Sequence, residues 1–136
     1  MSDGVKIGKR VYKKITFWYH GQKLSSRIEM GSPSMEYAGH YSMKRNVVKI
    51  NPHYKNPVER DLIARHEVIE RHLRKKHGLT YKQAHHLATV DELQHAKKHR
   101  VNWKKWGTKV WGLYERLKVK NGYSHKKNGK RKRKVY

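Results

Sequence analysis

The side chains best equipped for chemistry in this chain are a few carboxylates and imidazoles crowded into one stretch. Six of the ten acids, Glu59, Asp61, Glu67, Glu70, Asp91 and Glu92, fall between residues 59 and 92, together with five of the eleven histidines. In Arg65-His66-Glu67-Val68-Ile69-Glu70 a histidine and a glutamate stand four residues apart, one helical turn, so both can face the same partly buried place. His85 and Glu92 lie two turns apart further on. Two imidazoles and two carboxylates are donors that suit zinc, manganese or iron, and the chain has no cysteine, so any metal must be held by His, Asp or Glu. The competing arrangement is a set of ion pairs with Arg65, Arg71, Arg74 and Lys82, or a hydrogen-bonded polar seam between helices.

Two helices must carry these residues. The first reads from 56 to 77: Asn56 caps, Pro57 takes the first helical position, Glu59 can reach back to the cap amide and Gly78 stops it. Val58, Leu62, Ile69 and Leu73 form its apolar stripe, with His66 and Glu70 on one edge and Glu67 on a neighbouring face further from the core. Thr80 and Gln83 open a second helix, about 81 to 99, whose narrow face of Tyr81, Ala84, His85, Ala88, Glu92 and Ala96 lets another helix approach closely. Packed antiparallel through the Gly78-Leu79 turn, the pair brings His66, Glu70, His85 and Glu92 together. A third helix, about 103 to 118, follows from Trp103, Trp106, Val110, Leu113, Tyr114 and Leu117 at spacings of three and four, a stripe that reads as core.

Upstream, residues 9–52 read as short strands: Ile15 to Tyr19, a turn at His20-Gly21-Gln22-Lys23, a return from Leu24 to Met30, then Tyr37 to Tyr41 and Asn46 to Asn51. The fold class is α+β, with a small N-terminal antiparallel sheet, three helices and a basic tail. Residues 1–118 form one domain, and 119–136 form a flexible tail without apolar periodicity.

A strand ending in Val47-Val48-Lys49-Ile50-Asn51-Pro52, followed by a helix bearing His66-Glu67-Val68-Ile69-Glu70, resembles the strand-then-active-helix arrangement of zincin-like metallopeptidases. Residues 46–92 are also similar to small phage and mobile-element proteins in which a His-Glu-x-x-Glu helix precedes a helix carrying Ala-His and a later Glu, here Ala84-His85 and Glu92. The resemblance implies His66 as a ligand, Glu67 as a general base that deprotonates metal-bound water, and His85 or Glu92 as further ligands. One position departs from the zincin pattern: Glu70 stands where such a helix has His, which changes the charge on the metal.

The rest of the composition speaks to partners. Lys and Arg number 34 against 10 acids, a formal net charge of +24 on 136 residues. Such a field concentrates phosphate-bearing ligands. Binding to DNA or RNA is therefore expected, through Lys126, Lys127, Lys130, Arg131, Lys132, Arg133 and Lys134 in the tail and Lys97, Lys98 and Arg100 after the second helix. A helix-turn-helix reading would add Lys82, Gln83 and His86, but a first helix of about 20 residues is long for that motif. Phosphate-cradling and dinucleotide-binding glycine loops and the Gly-x-Ser-x-Gly elbow are absent from the sequence. No stretch is apolar enough for a membrane span, and Met1-Ser2-Asp3-Gly4 lacks a signal peptide's apolar region, so the expected place is the host cytoplasm. Three functions compete: a nucleic-acid-binding protein of a virus or mobile element with a His/Glu metal site; a zincin-like metal-dependent hydrolase, peptidase or nuclease, using His66 and Glu67; and, last, adhesion of the third helix to anionic membrane. The oligomeric state is left open.

Overall fold

The computed structural model describes residues 5–7 and 10–120, with side chains from Lys14 onward. Five strands are followed by three helices: β1 (Val5–Ile7), β2 (Arg10–Tyr19), β3 (Gln22–Met30), β4 (Gly39–Tyr41), β5 (Val47–Ile50), α1 (Pro57–His77), α2 (Tyr81–Lys98) and α3 (Trp103–Lys120). The α+β class is as the sequence predicts.

β2 and β3 form a hairpin closed by His20 and Gly21, whose φ angles of 45° and 80° are the pair of positive values that a two-residue turn of matching twist requires. The sheet order is β1-β2-β3-β5-β4, and one pairing departs from expectation. β5 lies parallel to β3, from Arg27 opposite Val47 to Met30 opposite Ile50, while β4 returns antiparallel on the outer edge. The sheet is thus mixed rather than antiparallel. Strand periodicity reports which residues face inward but not which neighbour a strand pairs with.

The helix boundaries follow their punctuation. Asn56 Oδ1 accepts from the amides of Val58 (2.8 Å) and Glu59 (3.3 Å), and Gly78, at φ 64°, ends α1 by donating its amide to Leu73 O. Glu59 does not reach back to the cap; its carboxylate accepts from Lys109 Nζ of α3 at 2.8 and 2.9 Å. Thr80 and Gln83 form a reciprocal capping box.

The helices cover one face of the sheet. Phe17, Leu24, Val48 and Ile50 from the strands meet Leu62, Ile63 and Ile69 of α1. On its other side α1 meets α2, whose Ala84, Ala88 and Ala96 are fully buried and permit close approach. Held between sheet and α2, α1 is buried at every position from Leu62 to Glu70, much more widely than a one-sided stripe. Trp106, Val110, Leu113 and Leu117 of α3 complete the core. Residues 119 and 120, read as the start of a tail, are the last of α3; the remainder of that tail lies outside the described residues.

Candidate metal centre

Because α1 is buried on both sides, its polar residues at 66, 67 and 70 face protein rather than water. His66 is 0 % exposed, Glu70 1 % and Glu67 2 %. From α2, Glu92 is equally buried and His85 is partly so. The short turn after Gly78 sets the two helices side by side, and four of the five side chains meet directly.

Glu70 is the hub. Its Oε1 accepts from His66 Nε2 at 3.1 Å and from His85 Nδ1 at 3.3 Å. Its Oε2 accepts from the Tyr41 hydroxyl at 2.8 Å, and Arg74 in turn donates to the Tyr41 oxygen at 2.9 Å. The His66 and His85 rings meet edge to face at 4.9 Å between centroids, and Tyr81 stacks on His85. His66, Glu70 and His85 each offer one ligand atom, all within 4.8 Å of one another, which is the spacing a single metal ion gathers.

Glu92 joins the cluster in a different place from the one its predicted role as a ligand requires. Its Oε1 faces His66 Nδ1 at 2.8 Å, the ring nitrogen opposite the one turned to Glu70, and its Oε2 accepts from the Trp106 indole at 2.6 Å. A carboxylate on the far nitrogen of a ligating histidine fixes the ring's tautomer and orientation. The structure therefore brings Glu92 to His66, not to the three converging atoms.

Glu67 requires a second correction. It does not lie toward solvent on a neighbouring face but points at the sheet, against Gly39 of β4. A Cβ at Gly39 would fall 2.8 Å from Glu67 Cγ and 2.9 Å from Glu67 Oε2, so only glycine lets the strand come this close. Glu67 Oε2 is buried with no hydrogen-bond partner. Burial raises its pKa, His66 opposes the rise, Glu70 and Glu92 add to it, and the value is pushed up to about 8.

The neighbours shift toward their charged forms instead, His66 upward and Glu70 downward. Burial alone would lower His66, but its hydrogen bonds to Glu70 and Glu92 hold it up at about 10. Burial alone would raise Glu70, but hydrogen bonds from His66 and His85 pull it down to about 2. Hydrogen bonding to carboxylates thus favours the charged form of His66, while burial favours the neutral form of Glu67. The alternative of simple ion pairs with neighbouring cations fits poorly. Arg65 pairs with Asp91 (3.0 Å), Arg71 donates to Ser42 O (2.7 Å), and Arg74 reaches Tyr41 rather than Glu70.

Three residues of the site escaped the sequence reading. Tyr41 and Gly39 enter it only as parts of the Tyr37 to Tyr41 strand, and Trp106 only as one member of an apolar stripe. A lone glycine inside a strand pattern is the one available signal, since it marks close backbone approach.

The expected nucleic-acid contacts are spread differently. Lys97, Lys98 and Arg100 are exposed at the end of α2 and beyond. Lys126, Lys127, Lys130, Arg131, Lys132, Arg133 and Lys134 lie outside the described residues. Among the described residues no helix is long and apolar enough to cross a membrane. Neither a family model, nor a curated protein, nor a solved structure matches the chain.

Proposed function

We propose that this protein is a metal-dependent hydrolase, with His66, Glu70 and His85 holding the ion and Glu67 acting as general base. The observation that carries the reading is Glu67 itself. A buried carboxylate oxygen without a partner costs about 1–3 kcal/mol, and a purely structural polar seam has no reason to retain it. Beside a cation and a water it gains both a counter-charge and a donor.

Three protein ligands are also the number that catalytic zinc sites supply; the two-nitrogen, one-oxygen donor set is common to zinc hydrolases and non-haem iron(II) sites, and hydrolysis, which needs no redox change, selects zinc. A divalent ion there would lower the pKa of a coordinated water toward neutrality. The protein's own groups do the rest. Glu92 and Trp106 hold His66 in orientation, and Tyr41 and Arg74 steady the second oxygen of Glu70. Burial holds Glu67 protonated in the metal-free protein; the charge of an ion beside it would favour its carboxylate, the form that accepts a proton. The scissile bond belongs to a peptide or a phosphodiester.

Tag-free protein should contain about one zinc per chain by elemental analysis and should melt lower after chelation. It should cleave casein or a nucleic acid, and Glu67→Gln should lose that cleavage while keeping the metal. Substoichiometric metal with melting unchanged by chelator overturns the reading.

A second function, nucleic-acid binding of the kind suited to a virus or mobile element, is favoured by the net charge of +24. It is compatible with the first, because the same field draws a phosphodiester substrate toward the molecule. Its mark is steep salt dependence of binding to DNA or RNA, and a flat dependence would exclude it.

A further inference from the structure

The sheet has a second face, turned away from the helices, on which cations greatly outnumber acids. Along β2, Ile15 and Phe17 point to the core while Lys14, Thr16 and Trp18 are exposed. Along β3, Leu24 and Ser26 are buried while Lys23, Ser25 and Arg27 are exposed. The register sets Lys14 opposite Arg27 and Trp18 opposite Lys23, and Lys49 of β5 lies beside Glu29. Glu29 is the sole carboxylate at an outward position of these described strand residues, and it is buried with Arg45 4.0 Å away. Trp18, 66 % accessible, is the most exposed of the large apolar side chains among the described residues.

We infer that this outer face is a docking platform for single-stranded nucleic acid, with Lys14, Arg27 and Lys49 taking phosphates and the Trp18 indole stacking on a base. The inference rests on the nucleic-acid reading above and assigns it a surface. Charge selects a polyanion, since four exposed cations on the strands face one acid that Arg45 already approaches. The indole selects the single strand. In a duplex the base faces are stacked away and a flat sheet meets only phosphates, whereas an unpaired base offers its ring to an aromatic side chain. The spacing suits a strand laid across the sheet: Lys14 to Trp18 spans about 13 Å, and β2 to β4 about 14 Å.

The test is fluorescence anisotropy of a labelled oligothymidylate of about twelve nucleotides with the full chain, over a series of salt concentrations. Trp18→Ala should weaken binding about tenfold, and Trp18→Phe, which keeps a ring, should weaken it less. Lys14→Ala, Arg27→Ala and Lys49→Ala combined should reduce the salt slope by about 2, at about 0.7 per lost phosphate contact. All these side chains are exposed, so unchanged melting curves should accompany the losses. If the oligonucleotide binds but the face variants bind as wild type, while removal of residues 121–136 abolishes binding, this platform is overturned and the nucleic-acid reading stands. Equal binding of a duplex, insensitive to Trp18→Ala, overturns the stacking assignment. If no oligonucleotide binds, both fall, and Trp18-dependent binding to phosphatidylserine vesicles in its place would give the face to a membrane.

Discussion

Two of the polar contacts between α1 and α2 each span 26 residues of sequence and are displaced from one another by a single position, yet they are built oppositely. Arg65 meets Asp91 through two hydrogen bonds, 3.2 and 3.0 Å, with its guanidinium 4.2 Å from the centre of the Phe17 ring. Both carboxylate oxygens are used and the cation is covered by an aromatic face, so the pair is complete. His66 meets Glu92 one residue along, but behind it Glu70 Oε1 serves two imidazoles and Glu67 Oε2 serves none. The same helix pair thus holds one contact whose carboxylate oxygens are both paired and one beside a buried carboxylate oxygen that has no hydrogen-bond partner. Stability accounts for the first. It does not account for the second, and that contrast favours a site over a seam.

The comparison breaks most sharply at Glu67. Glu67→Gln should lower hydrolysis on the order of a hundredfold to ten-thousandfold while leaving zinc content unchanged, as measured by initial rates and elemental analysis on one preparation. Equal rates in mutant and wild type would reduce the cluster to a structural contact like its neighbour. Next in size, Glu92→Gln should weaken metal affinity about 10- to 100-fold in a chelator competition, because the carboxylate no longer fixes the His66 ring.

The metal-free protein should respond to pH. Glu67 rises from 4.5 to about 8 on folding, so the stability associated with its neutral form is fully present below 4.5 and is lost as pH rises through about 8. His66 rises from 6.5 to about 10, so its contribution is lost over a higher range. The melting temperature of chelated protein should therefore fall between about pH 5 and about pH 8, and fall less in Glu67→Gln. The smallest effect on the site belongs to the complete pair. Asp91→Asn should destabilise the fold by about 1–3 kcal/mol in denaturant melts, with metal affinity the same as wild type. A shared loss of metal affinity would show that the two contacts act as one network.

What the sequence could disclose follows the range of the forces involved. α1 and α2 were legible almost to the residue because Asn56, Pro57, Gly78 and Thr80 act on amides within a turn of themselves. His66, Glu70 and His85 were legible as a group because helical spacing and one short turn fix their relation. The burial of Glu67 was not legible, because α1 is covered on two sides rather than one. Only the sheet lying against its second face buries that residue, and a helix's own period carries no sign of a second layer. The parallel pairing of β3 with β5 and the reach of Trp106 to Glu92 depend likewise on tertiary neighbours. Trp18 shows the same limit in reverse: it is indistinguishable in sequence from the inward aromatic beside it until strand phase decides which faces water.

The Gly78-Leu79 turn has a consequence for how the molecule is made. His66, Glu70, His85 and Glu92 all lie on one continuous helical hairpin, so the contacts among them close small loops and lose little chain entropy. Docking β4 onto α1 must bring together more distant segments, with Tyr41 and Glu70 29 residues apart and Tyr41 and Arg74 33 apart. The three converging donors are thus expected to form early in folding, with β4 arriving afterwards to seal Glu67 from water. In hydrogen exchange, amides of α1 and α2 around the cluster should stay protected under conditions that already open β4.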